Sequence, residues 1–377
     1  MSNTLTGLIP TIFEAVDVVS RELVGFIPAV SLDPSPEQAA KDQTITWPVA
    51  PAGNTVGNIT PAATGPDPTA MTLGYGTMSI SKSRSSTFFW EGEELKQGGS
   101  MYQRLIKDQF AQAMRLLVNE VEADLANLYS KASRAYGTVA VTPFASTLVD
   151  PANVRKILAD NGAPMSDLQL VINTTAGAAL RTLAQLTKAN EAGSDALLRR
   201  GILLDLHGFA IRESAQVKSH TAGGGSLYVV NGSHAIGVTS LVVKTGTGTI
   251  LLGDVLALED DTTNKYVVTT GVAAAGTVVL GAPGLRQAQT DSKTVTIAAA
   301  HVCNMAFART AIWLATRAPA MPEGGDAAED VIIVTDPVSG ISFQVAMYRQ
   351  YRRIAYEVGL AWGVKAVKPE HIAILLG

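Results

Sequence analysis

Apolar residues recur at three- and four-residue spacing from Ile9 to Leu23 (Ile9, Ile12, Phe13, Val16, Val19, Leu23), which predicts a short amphipathic helix. Asp33-Pro34-Ser35-Pro36 then interrupts the pattern. A stronger helical stripe follows between Met101 and Ala132. Leu105, Ile106, Phe110, Met114, Leu117, Val118, Val121, Leu125 and Leu128 share one side of it, while Lys107, Arg115, Glu120, Glu122 and Asp124 lie mainly off it. At about 1.5 Å per residue this is a rod of about 45 Å, with Gly137 as its expected end.

Between Gln43 and Ser81 the chain carries one charged side chain, Asp67. Pro48, Pro51, Gly53, Gly57, Pro61, Gly65, Pro66, Pro68, Gly74 and Gly76 break up this stretch. Thr44–Trp47 and Thr77–Ser81 read as extended, so the prediction is a long two-stranded excursion with a loose tip. Lys82–Arg84 through Phe88–Trp90 carries it back to the body. The segment is too uncharged for a solvated tail and too poor in apolar residues to bury a core of its own. It is expected to lie on another surface, and a second copy of the same chain is the candidate.

From Asp150 helix and strand alternate. Asp150-Pro151 is the expected N-cap, with proline in the first turn, of a helix carrying Val154, Ile157 and Leu158, with Asn161-Gly162 as its stop. Leu168–Ile172 reads as a strand, Thr174 or Thr175 as the cap of a helix through Leu180, Leu183 and Leu186, and Gly208–Arg212 as a second strand. At Ala222–Gly225 the character shifts to short β-rich runs: Leu227–Val230, Leu241–Lys244, Val255–Leu258, Tyr266–Thr269, Val278–Leu280 and Thr294–Ile297. Turn signals such as Asn231-Gly232, Gly253-Asp254 and Pro283-Gly284 separate them, the pattern of a small barrel or sandwich set into an α/β body. Met305–Arg317 returns to mixed character, followed by strands at Val331–Val334, Ser342–Tyr348 and Ile372–Leu376.

Composition narrows the function. Of 377 residues 47% are hydrophobic and 16% charged, and the mean hydropathy is +0.20. No apolar run approaches the roughly 20 residues of a membrane helix, so the excess points to buried interfaces or a rich core. A net charge of −4 argues against a protein whose main task is gripping nucleic acid. The one cysteine, Cys303, rules out a disulfide framework and reads as a buried inert thiol. Met1–Pro10 lacks a basic region followed by an apolar run, so no signal peptide is expected.

Chemistry-bearing motifs are sparse. His207, His220, His234, His301 and His371 form no tight metal-ligand pair, and the glycine runs lack phosphate-loop context. Asp254, Glu259, Asp260 and Asp261 cluster acidic oxygens as weak divalent-cation candidates without EF-hand spacing, and a solvated loop is the favoured reading. Arg349, Arg352 and Arg353 with Tyr348, Tyr351 and Tyr356 are the densest basic-aromatic group. Nucleic-acid contact is one reading of them; intersubunit pairing or packing is preferred in so acidic a chain. No catalytic residue and no cofactor is assigned.

After the β-rich runs, Asn304-Met-Ala-Phe-Ala-Arg-Thr-Ala-Ile-Trp-Leu-Ala-Thr-Arg-Ala-Pro319 resembles the Asn-Leu-Ala-Phe-His … Leu-Ala-Thr-Arg-Pro stretch of tailed-bacteriophage major capsid proteins. Ala308 stands where that family usually has histidine, and Ala318 intervenes before the proline. Gly340–Val345, Gln350-Tyr351 and Gly363-Val-Lys365 with Lys368-Pro-Glu370 resemble the family's closing pattern, Trp362 replacing its usual tyrosine. The order of parts matches along most of the chain, and the Gly/Val-rich runs at 223–300 resemble the branch typified by a Salmonella podovirus coat protein.

The resemblance implies an α+β major capsid fold with an inserted small β-barrel. Its parts would be an N-terminal arm (1–41), an extended β loop (42–92), a spine helix opening the peripheral domain (93–137) and a central axial α/β domain (138–222). The inserted barrel (223–300) and a return through axial and peripheral strands (301–377) complete it. It also implies a non-enzymatic shell subunit forming hexamers and pentamers, with scaffolding protein and portal as partners. Double-stranded DNA would be packaged without sequence specificity, procapsids would expand on maturation, and a decoration protein would be a possible addition. The location implied is the virion, with assembly in the bacterial cytoplasm and no membrane. Trp47, Asp67, Tyr75, Lys82, Arg84, Arg349, Arg352 and Arg353 are the candidate contacts between subunits, and assembly is expected to be non-covalent. An encapsulin-type nanocompartment shell, a phage tail or adhesin β protein, and an enzyme with a dispersed active site are the alternatives.

Overall fold

The spine helix spans Tyr102–Ala126, and a 3-10 turn, Asn127–Lys131, extends it. In the computed structural model, which describes residues 23–49, 73–98, 102–183, 186, 205–335 and 340–377, this helix lies across a six-stranded sheet. Ile106, Phe110, Met114, Leu117, Val118, Val121 and Leu125 of the predicted stripe are buried against it. The stop is not Gly137. After the 3-10 turn the chain enters a short strand, Arg134–Tyr136, and Gly137 ends that strand with φ +107°.

The backbone of the six-stranded sheet is Arg353–Ala366, a strand that periodicity did not reveal. One of its edges pairs with Lys82–Glu91 along Arg353–Trp362. The other takes Ser342–Gln350 along Arg353–Gly359 and then Ile312–Pro319 along Ala361–Ala366. Asp330–Thr335 closes one end of the sheet and Ser31–Ala39 the other. Ser31–Ala39 contains the Asp33–Pro36 stretch read as a break. An edge strand tolerates prolines, and the register shifts between Pro34 and Gln38 where they sit.

The second sheet runs from Phe209–Glu213 through Leu168–Ile172, His301–Ala308 and Ile372–Leu376 to Arg134–Tyr136. Helices Val149–Asp160 and Thr174–Thr182 pack on it around a separate core including Val154, Leu158, Leu170, Leu180 and Phe307's neighbours Ala306 and Ala308. Two cap assignments change. Asp150 lies in the first turn rather than at the cap, and its carboxylate accepts the Phe144 N–H at 2.8 Å. Asn173, not Thr174 or Thr175, caps the second helix by accepting the Ala176 N–H at 2.9 Å. Met305–Arg317 is strand throughout apart from the 3-10 turn Arg309–Ala311.

Beyond Arg134–Tyr136 the same sheet continues into Asp261–Thr270, Gly276–Leu280, Ser240–Lys244 and Val229–Val230. Val255–Leu258 joins Asp261–Thr270 to Val295–Ile297, and a bridge between Val229 and Thr294 completes the ring. The ring encloses its own core, in which Tyr228, Leu241, Leu256, Tyr266, Val268 and Val278 are fully buried.

The predicted helix Ile9–Leu23 falls outside the described residues except for Leu23, and the loop tip from 50 to 72, with Asp67, lies wholly outside them.

Candidate functional site

The charge-poor excursion begins as an antiparallel ribbon, Thr44–Val49 against Gly74–Ser79, with Thr44 opposite Ser79 and Val49 opposite Gly74. Its foot is fastened to the six-stranded sheet. Met78 and Ile80 are buried with Ala315 and Ala361, and the Trp47 ring meets Trp313 at 4.8 Å between centroids. Two glycines permit this approach. A Cβ on Gly76 would stand 2.2 Å from the Trp47 ring, and one on Gly363 would stand 2.2 Å from the Ser79 carbonyl oxygen. Lys365 adds its ammonium to the Thr77 carbonyl and sits over the Trp47 ring.

Away from the foot the ribbon is bare. Tyr75 is 72% exposed, Leu73 59% and Val49 36%, and among the described residues neither strand has a second neighbour in the sheet. The unpaired edges carry backbone donors and acceptors, and the side chains beside them are uncharged. Such a ribbon can be laid on another protein surface with little desolvation cost.

Beside it Lys82 and Arg84 face the spine helix. The Lys82 ammonium is 2.9 Å from Glu120 and 2.8 Å from Asp124, and Arg84 is 3.7 Å from Glu120. Burial works against the charge on Lys82, but the hydrogen bonds and charges of Asp124 and Glu120 outweigh it and raise its pKa. The other Asp124 oxygen accepts the Trp362 indole N–H at 2.9 Å. Lys82 is therefore engaged within its own subunit, while Arg84 keeps most of its side chain in solvent.

The Arg/Tyr group is gathered at the turn between Ser342–Gln350 and Arg353–Ala366. Tyr351 at the tip is 91% exposed, and Arg352 takes φ +59°. Arg349 pairs with Glu329, Arg353 stacks over Phe89 at 5.1 Å, and the Arg352 carbonyl accepts the Gly92 N–H. Helix Gly92–Gly98 and this turn flank a cleft of about 720 Å³ lined by Glu93, Lys96, Arg349, Tyr351 and Arg353. The aromatics divide: Tyr356 is buried beside Phe88 and Phe110, and the Tyr348 hydroxyl donates to Asp326 and Glu357. They offer no common stacking face to a nucleic acid.

The acidic cluster does not converge on a cation. Asp254 is fully buried and accepts from His220 at 2.7 Å and from the N–H groups of Gly223 and Leu251. Asp261 takes the Tyr266 hydroxyl and Asn264, Asp260 takes Thr290, and Glu259 takes Thr294 and Lys293. Each carboxylate is engaged by protein donors, and Lys293 lies between Glu259 and Asp260 at 3.0 and 3.6 Å. Among the described residues no group of three or more His, Cys, Asp or Glu side chains is placed to hold a metal.

Sequence spacing concealed one convergence. His220, far from His301 in the chain, lies 5.3 Å from it between ring centroids, and the Tyr129 hydroxyl is 2.9 Å from His220 Nδ1. Burial lowers the pKa of His301 and pushes the nearby Cys303 thiol up to about 12, so this thiol stays protonated. With His220 and His301 both buried, the network ties the end of the spine helix to the start of the ring. Glu122, read as part of the polar face of the helix, is also buried; only its spacing next to Val121 on the inner turn hinted at this.

No family model matches the chain, and no curated protein does. Among solved structures the chain is similar to one of Mycobacterium phage Che8, with 14% identity, 89% of this chain and 85% of that chain covered, and a TM-score of 0.47. It is similar to the capsid asymmetric unit of cyanophage A-1(L), with 10% identity, coverage of 94% and 93%, and a TM-score of 0.48. It is also similar to a virus-like particle from Pyrococcus furiosus, with 11% identity, coverage of 97% and 96%, and a TM-score of 0.41.

Proposed function

We propose that this chain is the major capsid protein of a tailed phage, a non-enzymatic subunit of an icosahedral shell. The observation that carries the reading is the anchored, uncharged ribbon, without a further strand neighbour among the described residues, set beside a spine helix on a six-stranded sheet. A lone two-stranded ribbon is marginal in water, so one fixed only at its foot is completed by a neighbour. The motifs at 304–319 and 340–370, which resemble those of tailed-phage capsid proteins, lie in the strands that form the core of both sheets.

In this reading residues 42–92 form the extended loop, 93–137 the spine helix and start of the peripheral domain, and 138–222 the axial domain. Residues 223–300 are an inserted barrel, and 301–377 return through the axial to the peripheral strands. Subunits gather as hexamers and pentamers under a scaffolding protein, with a portal at one vertex, and the shell expands as DNA enters. With a net charge of −4, contact with packaged double-stranded DNA is non-specific and local. Assembly takes place in the bacterial cytoplasm, contacts between subunits are non-covalent, and Trp47, Asp67, Tyr75, Lys82, Arg84, Arg349, Arg352 and Arg353 are the residues proposed to meet neighbouring subunits.

Electron microscopy of the purified, concentrated protein, alone and co-expressed with the neighbouring reading frames of its genome, tests the proposal. Closed, regular particles of uniform diameter are expected. A protein that stays monomeric under both conditions sinks it.

A further inference from the structure

Side chains alternate along Ser342–Gln350 and Arg353–Ala366. Phe343, Val345, Met347, Tyr356 and Val358 turn into the core shared with the spine helix, so Gln344, Tyr348 and Glu357 face the other side of the sheet. There they line a cavity of about 210 Å³ with Pro319, Met321 and Asp326, the last from the segment between Ile312–Pro319 and Asp330–Thr335. Small residues keep it open. Ala346 and Gly359 also line it, and a Cβ on Gly359 would stand 3.0 Å from Pro319 Cγ.

Two independent features point to a ligand in this cavity. The Tyr348 hydroxyl oxygen lies 2.8 Å from Asp326 Oδ2 and 3.1 Å from Glu357 Oε2. One hydroxyl holds one proton, so at any moment one of the two carboxylates faces a phenol lone pair. Burial, and then the bonds and charges of Asp326 and Glu357, push the phenol pKa up, so the hydroxyl keeps that proton at neutral pH. Among the described residues no lysine or arginine pairs with either carboxylate, and the other Asp326 oxygen accepts the Ala328 N–H at 2.7 Å. The second feature is Gln344. It is 6% exposed, and its side-chain amide has no hydrogen-bond partner among the described residues. A buried amide left unpaired is costly, and this one reaches a cavity that holds two carboxylates.

We propose that this cavity is a Ca²⁺ site, with Asp326 and Glu357 as charged ligands and the Gln344 carbonyl and Tyr348 hydroxyl oxygens as neutral ones. Ca²⁺ takes oxygen ligands at about 2.3–2.6 Å in a flexible shell, so neighbouring ligand oxygens lie about 3 Å apart. Tyr348 already keeps that spacing to both carboxylates. Two carboxylates balance the charge of the ion, and neutral oxygens and water complete its shell in place of a third acidic group. Three parts of the sheet contribute: the strand Ser342–Gln350, the central strand Arg353–Ala366 and the segment that carries Asp326. The bound ion ties that segment to the central strand. The site belongs to the single subunit and stands whether or not the chain forms a shell.

Terbium luminescence on the full-length protein tests the site, because Tb³⁺ occupies Ca²⁺ sites and takes excitation energy from a tyrosine among its ligands. Emission excited through the protein is expected to saturate as Tb³⁺ is added and to fall about fivefold when CaCl₂ is raised to about 10 mM, a concentration suited to a site with only two charged ligands. At the same Tb³⁺ it is expected to be about fivefold weaker in Asp326→Asn, which removes a ligand, and in Tyr348→Phe, which removes the sensitiser. Asp326 is exposed, so its variant leaves the core untouched and decides the matter if Tyr348→Phe does not fold. Emission that stays as strong in Asp326→Asn, or that Ca²⁺ does not displace, overturns the site. So does a wild type without sensitised emission, which leaves the two carboxylates sharing a proton.

Discussion

The ribbon Thr44–Val49 with Gly74–Ser79 and the ring Val229–Ile297 are both β excursions from the same body, and they solve the problem of edges in opposite ways. The ring pairs every strand with two neighbours and wraps them around Tyr228, Leu241, Leu256 and Val278. The ribbon buries Met78 and Ile80 at its foot and leaves Val49, Leu73 and Tyr75 in solvent, with no further strand on its outer edges among the described residues. Charge follows closure. The ring's surface carries Lys244 with Asp291 and Lys293 with Glu259, the usual dress of a surface that stays wet. Between Gln43 and Ser81 only Asp67 is charged. A closed unit needs no partner, whereas an open, uncharged one is half of an interface.

Deleting residues 48–76 breaks the comparison most directly. The body keeps its spine helix, both sheets and ring, so a soluble, folded protein is expected. Closed particles are expected to vanish altogether in negative-stain images. Normal particles from the deletion would show that the open ribbon is not what joins subunits.

The complementary cut sharpens the other half. Residues 223–298 expressed alone are expected to unfold in one cooperative thermal step, since the ring has its own core, although it also meets the body at the pairing of Arg134 and Ala135 with Tyr266 and Lys265, at Asp254 with His220, and through Val255 and Val267. Leu241→Ala in that fragment should cost about 2–5 kcal/mol, measured by denaturant melts. A gradual melt, or a Leu241→Ala variant as stable as its parent, would mean that the ring depends on the body.

How far the sequence revealed these features depended on how local their causes are. The spine helix declares itself because burial repeats every turn from Ile106 to Leu125, and the ring's strands because each is bounded by its own turn. Glu122 and Asp254 were misleading for one reason: a charge in a sequence shows its cost but not its donors. Glu122's backbone donors lie 95 to 97 residues away, and the histidine on Asp254 lies 34 residues away. Arg353–Ala366 was hidden because its ends are charged and Gly359 and Gly363 interrupt the apolar run. Gly363 is there for the ribbon's Ser79, a contact no window of neighbouring residues contains.

Acid is the mildest way to separate the two regions. On the ring, hydrogen bonds from the Lys244 ammonium, the Gly232 N–H and the Ser292 hydroxyl hold Asp291 well below the usual carboxylate range. Thr294 and Lys293 lower Glu259, and Thr290 lowers Asp260. A carboxylate whose folded pKa is depressed contributes stability that is present above its unfolded pKa, about 4 for these side chains, and lost as pH falls toward its folded value. The melting temperature of the 223–298 fragment should therefore hold from pH 7 to about pH 5 and fall below about pH 4. All three groups are solvent-facing, so the fall should be a few degrees and should shrink in high salt. The ribbon has no comparable charge among its described residues, so the fluorescence of Trp47 against Trp313 should not follow this titration in the full-length protein. A fragment whose melting is flat from pH 5 to 2 would remove the ion pairs from the account of the ring and leave closure around its core as the whole of the difference.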